Sequence, residues 1–148
     1  MESLTAVKTD KVSVNLSAME LGQIDFLVEK GYFDNRSDFI RTSTRKALGN
    51  YTDEFKQFLE SEQSNQQKQP EKSSYVITLG INNLSKDYIT DNINNGRKVF
   101  IRVVGLLHIS DKVTAEEIKK SVISCKVYGK LVASDEVKAA LKEIEGGF

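Results

Sequence analysis

The sequence predicts an α+β protein of two small units in series: a strand with two helices, then a small α/β unit. Three observations carry that reading. A strict apolar alternation stands near the N-terminus, two helix-start signals follow it, and strand-like runs alternate with helix caps beyond residue 75. A polar stretch separates the halves. Residues 61–74 hold four Gln, four Ser, the only proline (Pro70) and no apolar side chain. Such a stretch cannot bury enough surface to offset its ordering entropy, so it reads as a flexible linker. The expected organisation of the 148 residues is a first unit over 1–60, a linker over 61–74 and a second unit over 75–148.

The first unit opens with Lys11-Val-Ser-Val-Asn-Leu16. Alternation puts Val12, Val14 and Leu16 on one face of a strand and Lys11, Ser13 and Asn15 on the other. Ser17 and Glu20 then have capping-box spacing, Leu21, Ile24, Leu27 and Val28 recur at helical intervals, and Gly31 suits a helix end. Asn35 is placed to cap a second helix whose apolar stripe is Phe39, Ile40, Ser43, Ala47 and Leu48. The pattern runs on through Tyr51, Phe55 and Leu59, with Gly49 a weak point in its middle.

One strand beside two helices has a problem. Its backbone groups are unpaired on both edges, and so short a unit makes a thin core. Pairing with the same strand of a second chain repairs both defects. The predicted state is an obligate intertwined homodimer with Val12, Val14, Leu16, Ile24, Phe39 and Ile40 in its core. Lys11, Ser13 and Asn15 of both chains are left on the outer face.

The segments Lys11-Val-Ser-Val-Asn-Leu16 and Asn35-Arg-Ser-Asp-Phe-Ile-Arg41 resemble the ribbon-helix-helix DNA-binding domain of CopG/Arc/MetJ-type regulators, over about residues 8–51. In that family paired strands form a two-stranded ribbon that enters the major groove. The resemblance implies base contacts from Lys11, Ser13 and Asn15. Lys11 would donate to guanine, Asn15 would pair with adenine in bidentate fashion, and Ser13 would meet a base or a phosphate. It also implies that the start of the second helix, Asn35, Arg36 and Ser37, holds a DNA phosphate, chiefly through backbone N–H groups. Lys8 is a flexible phosphate contact or nothing, and Arg41 and Arg45 read as solvated. The sequence departs from the family in two ways. Its outer face has a single cation, Lys11, and Asp34 and Asp38 flank the phosphate site. Modest affinity with a steep salt dependence follows.

Beyond the linker, Tyr75–Ile81 reads as a strand, Leu84–Asn94 as a helix capped near Asn83 or Ser85, and Lys98–Ile109 as a strand rich in branched and aromatic residues. Thr114 starts a short helix, Ser121–Ala133 is strand-like, and Ser134 starts a last helix to about Ile144. The alternation predicts an α/β unit of undetermined topology. Gly105 and Gly129 within strand patterns signal bulges or close backbone approach. The segments Val104–Ile109 and Lys126–Ser134 resemble the C-terminal half of some CopG-type bacterial proteins, which implies no activity.

Composition narrows the function. Basic and acidic residues balance at 21 each. Seven face seven in residues 1–50, three face five in 51–74 and eleven face nine in 75–148, so cationic character must be local. Cys125 and His108 are the only residues of their types, so they cannot close a zinc site or supply the ligands of a nickel-sensing relative. His108 reads as a satisfied sheet residue and Cys125 as a small buried side chain. No cofactor, no metal and no enzymatic activity are expected. No run approaches the ~20 apolar residues of a membrane span, and a cytoplasmic location is expected. The functional expectation is a double-stranded-DNA-binding transcriptional regulator, read as a repressor, whose C-terminal unit senses a signal or joins dimers into tetramers or larger assemblies. The competing readings are an antitoxin and an assembly scaffold.

Overall fold

The computed structural model describes residues 9–66, 68 and 72–145. The described chain is α+β, with six helices and a three-stranded sheet: α1 (Ala18–Glu29), α2 (Arg36–Gly49), α3 (Thr52–Gln66), β1 (Ser73–Leu84), α4 (Lys86–Asn94), β2 (Lys98–Ile109), α5 (Ala115–Ser121), β3 (Val122–Val132) and α6 (Asp135–Glu145). It divides into two compact units, Met1–Tyr51 and Thr52–Phe148, so the division falls ahead of the expected linker.

In the first unit α1 begins with a complete capping box. The Ser17 hydroxyl accepts from the Glu20 amide at 3.2 Å and the Glu20 carboxylate accepts from the Ser17 amide at 2.7 Å. At its other end Gly31 takes a φ of +81°, with Gly31 N–H donating to Val28 and Tyr32 N–H to Leu27. That is a Schellman ending, in which the left-handed residue is most easily glycine. The helix beyond residue 35 is two helices. Asn50 N–H folds back onto Ala47 and Leu48, Tyr51 forms the turn, and Asp53 and Glu54 stand in the first turn of α3. Gly49 lowers helix propensity where the break occurs, and acidic side chains favour a new N-terminus.

The sheet of the second unit is wholly parallel, in the order β1-β2-β3. Its helix-covered face carries Val76, Val99, Ile101, Val103, Leu107, Ile109, Cys125 and Val127, packed with Ile89 of α4, Ile118 of α5 and Val137 and Leu141 of α6. Each helix has an N-cap of the expected kind: Ser85 accepts from Tyr88 N–H, Thr114 from Glu117 N–H and Ser134 from Val137 N–H. Strand β1 is longer than the Tyr75–Ile81 read from the sequence. It stays paired with β2 as far as Leu84 opposite Ile109, so the helix expected from Leu84 starts at Lys86.

The opposite face is crossed by α3. Glu62 meets Arg102 at 3.5 Å, Phe58 packs edge-on against Tyr128 at 6.0 Å, and Gln63 and Gln66 line a cavity with Tyr75 and Ile77. All the strand residues named here alternate with the core residues. Parallel sheets need cover on both faces, which is why the polar run read as a linker is helical up to Gln66. The absence of apolar residues from Ser61 to Gln66 hid this, because the contacts there are made by Glu62 and two glutamines.

Gly80, Gly105 and Gly129 lie side by side across the three strands, with φ of +126°, +136° and +121°. A Cβ on Gly105 would sit 2.1 Å from the Gly80 carbonyl oxygen, and one on Gly129 would sit 2.1 Å from that of Gly105. The expected close backbone approach is therefore present at both positions, without a bulge in the pairing at either. A Cβ on Gly80 meets nothing within 4 Å and would add only backbone strain. Urea unfolding followed by tyrosine fluorescence should rank the variants accordingly. Gly80→Ala should cost about 1–3 kcal/mol, and Gly105→Ala and Gly129→Ala clearly more.

Candidate nucleic-acid interface

Residues 11–17 belong to no strand and are almost entirely exposed in the single chain. The predicted strand therefore differs from what one chain displays, and the reason is simple: a strand exists through its ladder partner, and one chain offers none. Val12 is 80% exposed and Val14 62%, while Leu16 is half-buried. Lys11, Ser13 and Asn15 are exposed, and none of the three has a hydrogen bond or ion pair among the described residues. Lys8 lies outside the described residues.

The helices behind this segment are under-packed for a finished domain. Of all residues in α1 and α2, only Ile24 is buried. Phe39 is half-buried and stacks edge-on against Phe33 at 4.9 Å, while Ile40, Phe26, Met19 and Leu48 are exposed. Between the helices and the 14–16 segment lies an open groove of about 1020 Å³, lined largely by apolar groups that include Val14, Leu16, Ile24, Phe39 and Ile40. Five of the six residues expected in the dimer core thus face one groove, and Val12, the sixth, is not among its lining residues. The groove leaves apolar side chains of both helices open to solvent in the single chain.

The start of α2 is held in a defined shape. Asn35 caps the helix through its side-chain oxygen, which accepts from Asp38 N–H at 2.8 Å. Asp38 in turn accepts from Asp34 N–H at 3.1 Å and from the Thr42 hydroxyl at 3.4 Å, so its carboxylate is engaged with its own loop. The N–H groups of Arg36 and Ser37 have no acceptor among the described residues. They are the free donors that an anion at a helix N-terminus uses.

The Arg36 side chain is not free. Its guanidinium forms a bidentate pair with Asp25 of α1, Nε to Oδ1 at 2.7 Å and Nη2 to Oδ2 at 2.8 Å. The Arg36 side chain thus braces α2 against α1, and only its backbone N–H is left without an acceptor among the described residues. Asp25 escaped the sequence reading because an exposed acid on a surface helix carries no signal of a partner eleven residues away. Arg41 and Arg45 are exposed and unpaired among the described residues, as solvated side chains would be.

Elsewhere, His108 is half-buried on β2 and Cys125 is 2% exposed in the core. Among the described residues no group of His, Cys, Asp and Glu is arranged to hold a metal ion, and no helix is long and apolar enough to cross a membrane.

The first unit thus presents a short segment of alternating polar and apolar residues, two capped helices and an open groove beside them. The model of the Ribbon-Helix-Helix transcriptional regulator family matches residues 7–138, nearly the whole chain and both units together, and the chain belongs to that family. No curated protein and no solved structure matches it.

The brace between α1 and α2 has a pH signature. Hydrogen bonding from Arg36, aided by its charge, holds the Asp25 carboxyl below its usual range and raises Arg36 in return. A depressed carboxyl stabilises the folded state above its unfolded pKa, and that contribution fades as pH falls through the folded value. The stability of the first unit should therefore decline on acidification below the ordinary aspartate range, and Asp25→Asn should flatten that part of the profile. Thermal melts across the acidic range check this, and a mutant curve that still tracked the wild type would mark the pair as inert.

Proposed function

We propose that the protein is a homodimeric transcriptional regulator that reads double-stranded DNA by sequence and acts as a repressor. Residues 11–16 of two chains pair antiparallel, Val12, Val14 and Leu16 close over the groove lined by Ile24, Phe39 and Ile40, and a two-stranded ribbon results. Lys11, Ser13 and Asn15 of both chains point away from the shared core into the major groove, where Lys11 suits guanine and Asn15 suits adenine. The starts of both α2 helices, at Asn35, Arg36 and Ser37, straddle the ribbon and hold backbone phosphates through Arg36 and Ser37 N–H. Two-fold symmetry doubles each contact, which supplies cationic and donor groups that a chain of zero net charge lacks singly.

The observation that carries this reading is the open apolar groove beside an unpaired, alternating segment. The polar face left over is the only part of that segment free to meet a ligand. The second unit favours a regulator over an antitoxin, because antitoxin tails gain order on binding whereas residues 73–145 carry a core of their own.

Two outcomes are expected. Lys11→Ala and Asn15→Ala should each lose about 1–3 kcal/mol of discrimination for a selected operator, read by gel shift with sequences drawn from a random duplex pool, while circular dichroism stays native. Operator affinity unchanged in both variants would remove the outer face from the site. Sedimentation at micromolar concentration should show a dimer as the smallest species, and Val14→Asp should shift it to a monomer with less helix. A wild-type chain that sediments as a monomer would falsify the paired ribbon.

A further inference from the structure

Five basic side chains of the second unit stand in ion pairs. Lys86 bonds Glu117, Arg97 meets Asp91 at 3.9 Å, Arg102 meets Glu62, Lys119 meets Glu143 at 3.0 Å and Lys120 meets Glu116 at 3.1 Å. Lys138 and Lys142 of α6 have no such pair and lie close together on one helix. Neither ammonium group has an acidic or hydrogen-bonding partner among the described residues, and Lys138 is half-buried. Four residues apart, they stand one turn above the other on a single helix face, where like charges repel.

These two lysines form one wall of a cavity of about 230 Å³ between α6 and β3, whose other lining residues are Val127, Gly129 and Leu131. The opening has a clear origin. Val137, Ala140 and Leu141 hold α6 against the sheet, which turns the neighbouring positions 138 and 142 toward the edge strand β3. Gly129 has no side chain to place between Val127 and Leu131, and the contact of its missing Cβ with the Gly105 carbonyl forbids one. The result is a small concavity with an apolar floor and, on one side, two positive charges without an acidic partner among the described residues.

We propose that this cavity binds a small organic carboxylate. The carboxylate takes charge-assisted hydrogen bonds from Lys138 and Lys142 and removes their mutual repulsion. A short aliphatic chain lies over Val127 and Leu131, across the gap at Gly129. At ~30 Å³ per water-sized group the space holds about eight heavy atoms, which sets the size class. The assignment is independent of the ribbon and its DNA, since every residue in it belongs to the second unit.

The test is a titration of the isotope-labelled full chain with sodium hexanoate at fixed ionic strength, read from the amide resonances of Gly129, Leu131 and Lys138. A saturable shift confined to that region is expected. Affinity should drop about tenfold or more in the Lys138→Met/Lys142→Met double variant, which keeps the apolar stems and should leave the remaining spectrum unchanged. Lys119→Met, on the paired lysine of α5, should bind hexanoate as the wild type does, and hexanol should not bind. No saturable shift, undiminished binding by the double variant, equal binding of hexanol, or inorganic phosphate matching hexanoate would each overturn the proposal.

Discussion

Backbone hydrogen bonding is the constraint on which the first unit turns. Residues 11–16 are patterned as a strand, but a strand satisfies its N–H and C=O groups only across a ladder. In one chain they remain exposed, with Val12 and Val14 turned to water beside a groove that would take apolar side chains. The helices are shaped around the same need. Their caps, the Schellman ending at Gly31 and the Arg36–Asp25 brace fix the hairpin, yet only Ile24 is buried within it. Such a hairpin is well defined in shape and poor in core, and the proposed second copy supplies the core.

The second unit meets a different requirement. A parallel sheet has two faces to cover, and the crossover helices α4 and α5, with α6, lie on one of them. The other receives α3, a helix that reaches the sheet through Phe58, Glu62 and glutamines rather than through a broad apolar stripe. At the far end of the unit Lys86 and Thr114 both bond Glu117, which joins the starts of α4 and α5 and holds that carboxyl below its usual range, the Lys86 bond being the main cause. A polar pair thus ties two helices together over the aliphatic core, and another, Glu62 with Arg102, ties α3 to the opposite face.

Much of this was legible in the sequence wherever local chemistry decides the outcome. The boundaries of β2 match the Lys98–Ile109 run read from its branched and aromatic residues. Ser17, Asn35, Ser85, Thr114 and Ser134 announce their helices, since an N-cap needs only its own side chain and an amide within three residues. Illegible were features that depend on distant partners. The helical state of Ser61–Gln66 depends on Arg102 and Tyr75, the commitment of the Arg36 side chain depends on Asp25, and the parallel order of the strands depends on crossovers that no single segment encodes. The extension of β1 to Leu84 likewise reflects Ile109 opposite it.

The aligned glycines bear on how the sheet finds its pairing. A slip by one residue would exchange the core face for the face that α3 covers, and the glycines add a second penalty to it. Displace β2 by one residue and Val104 or Leu106 arrives where Gly105 now faces the Gly80 carbonyl, a place that cannot admit even a methyl group. The same exclusion acts between β2 and β3 at Gly129. Gly105 and Gly129 thereby serve as index marks, and a shifted pairing meets steric exclusion at both.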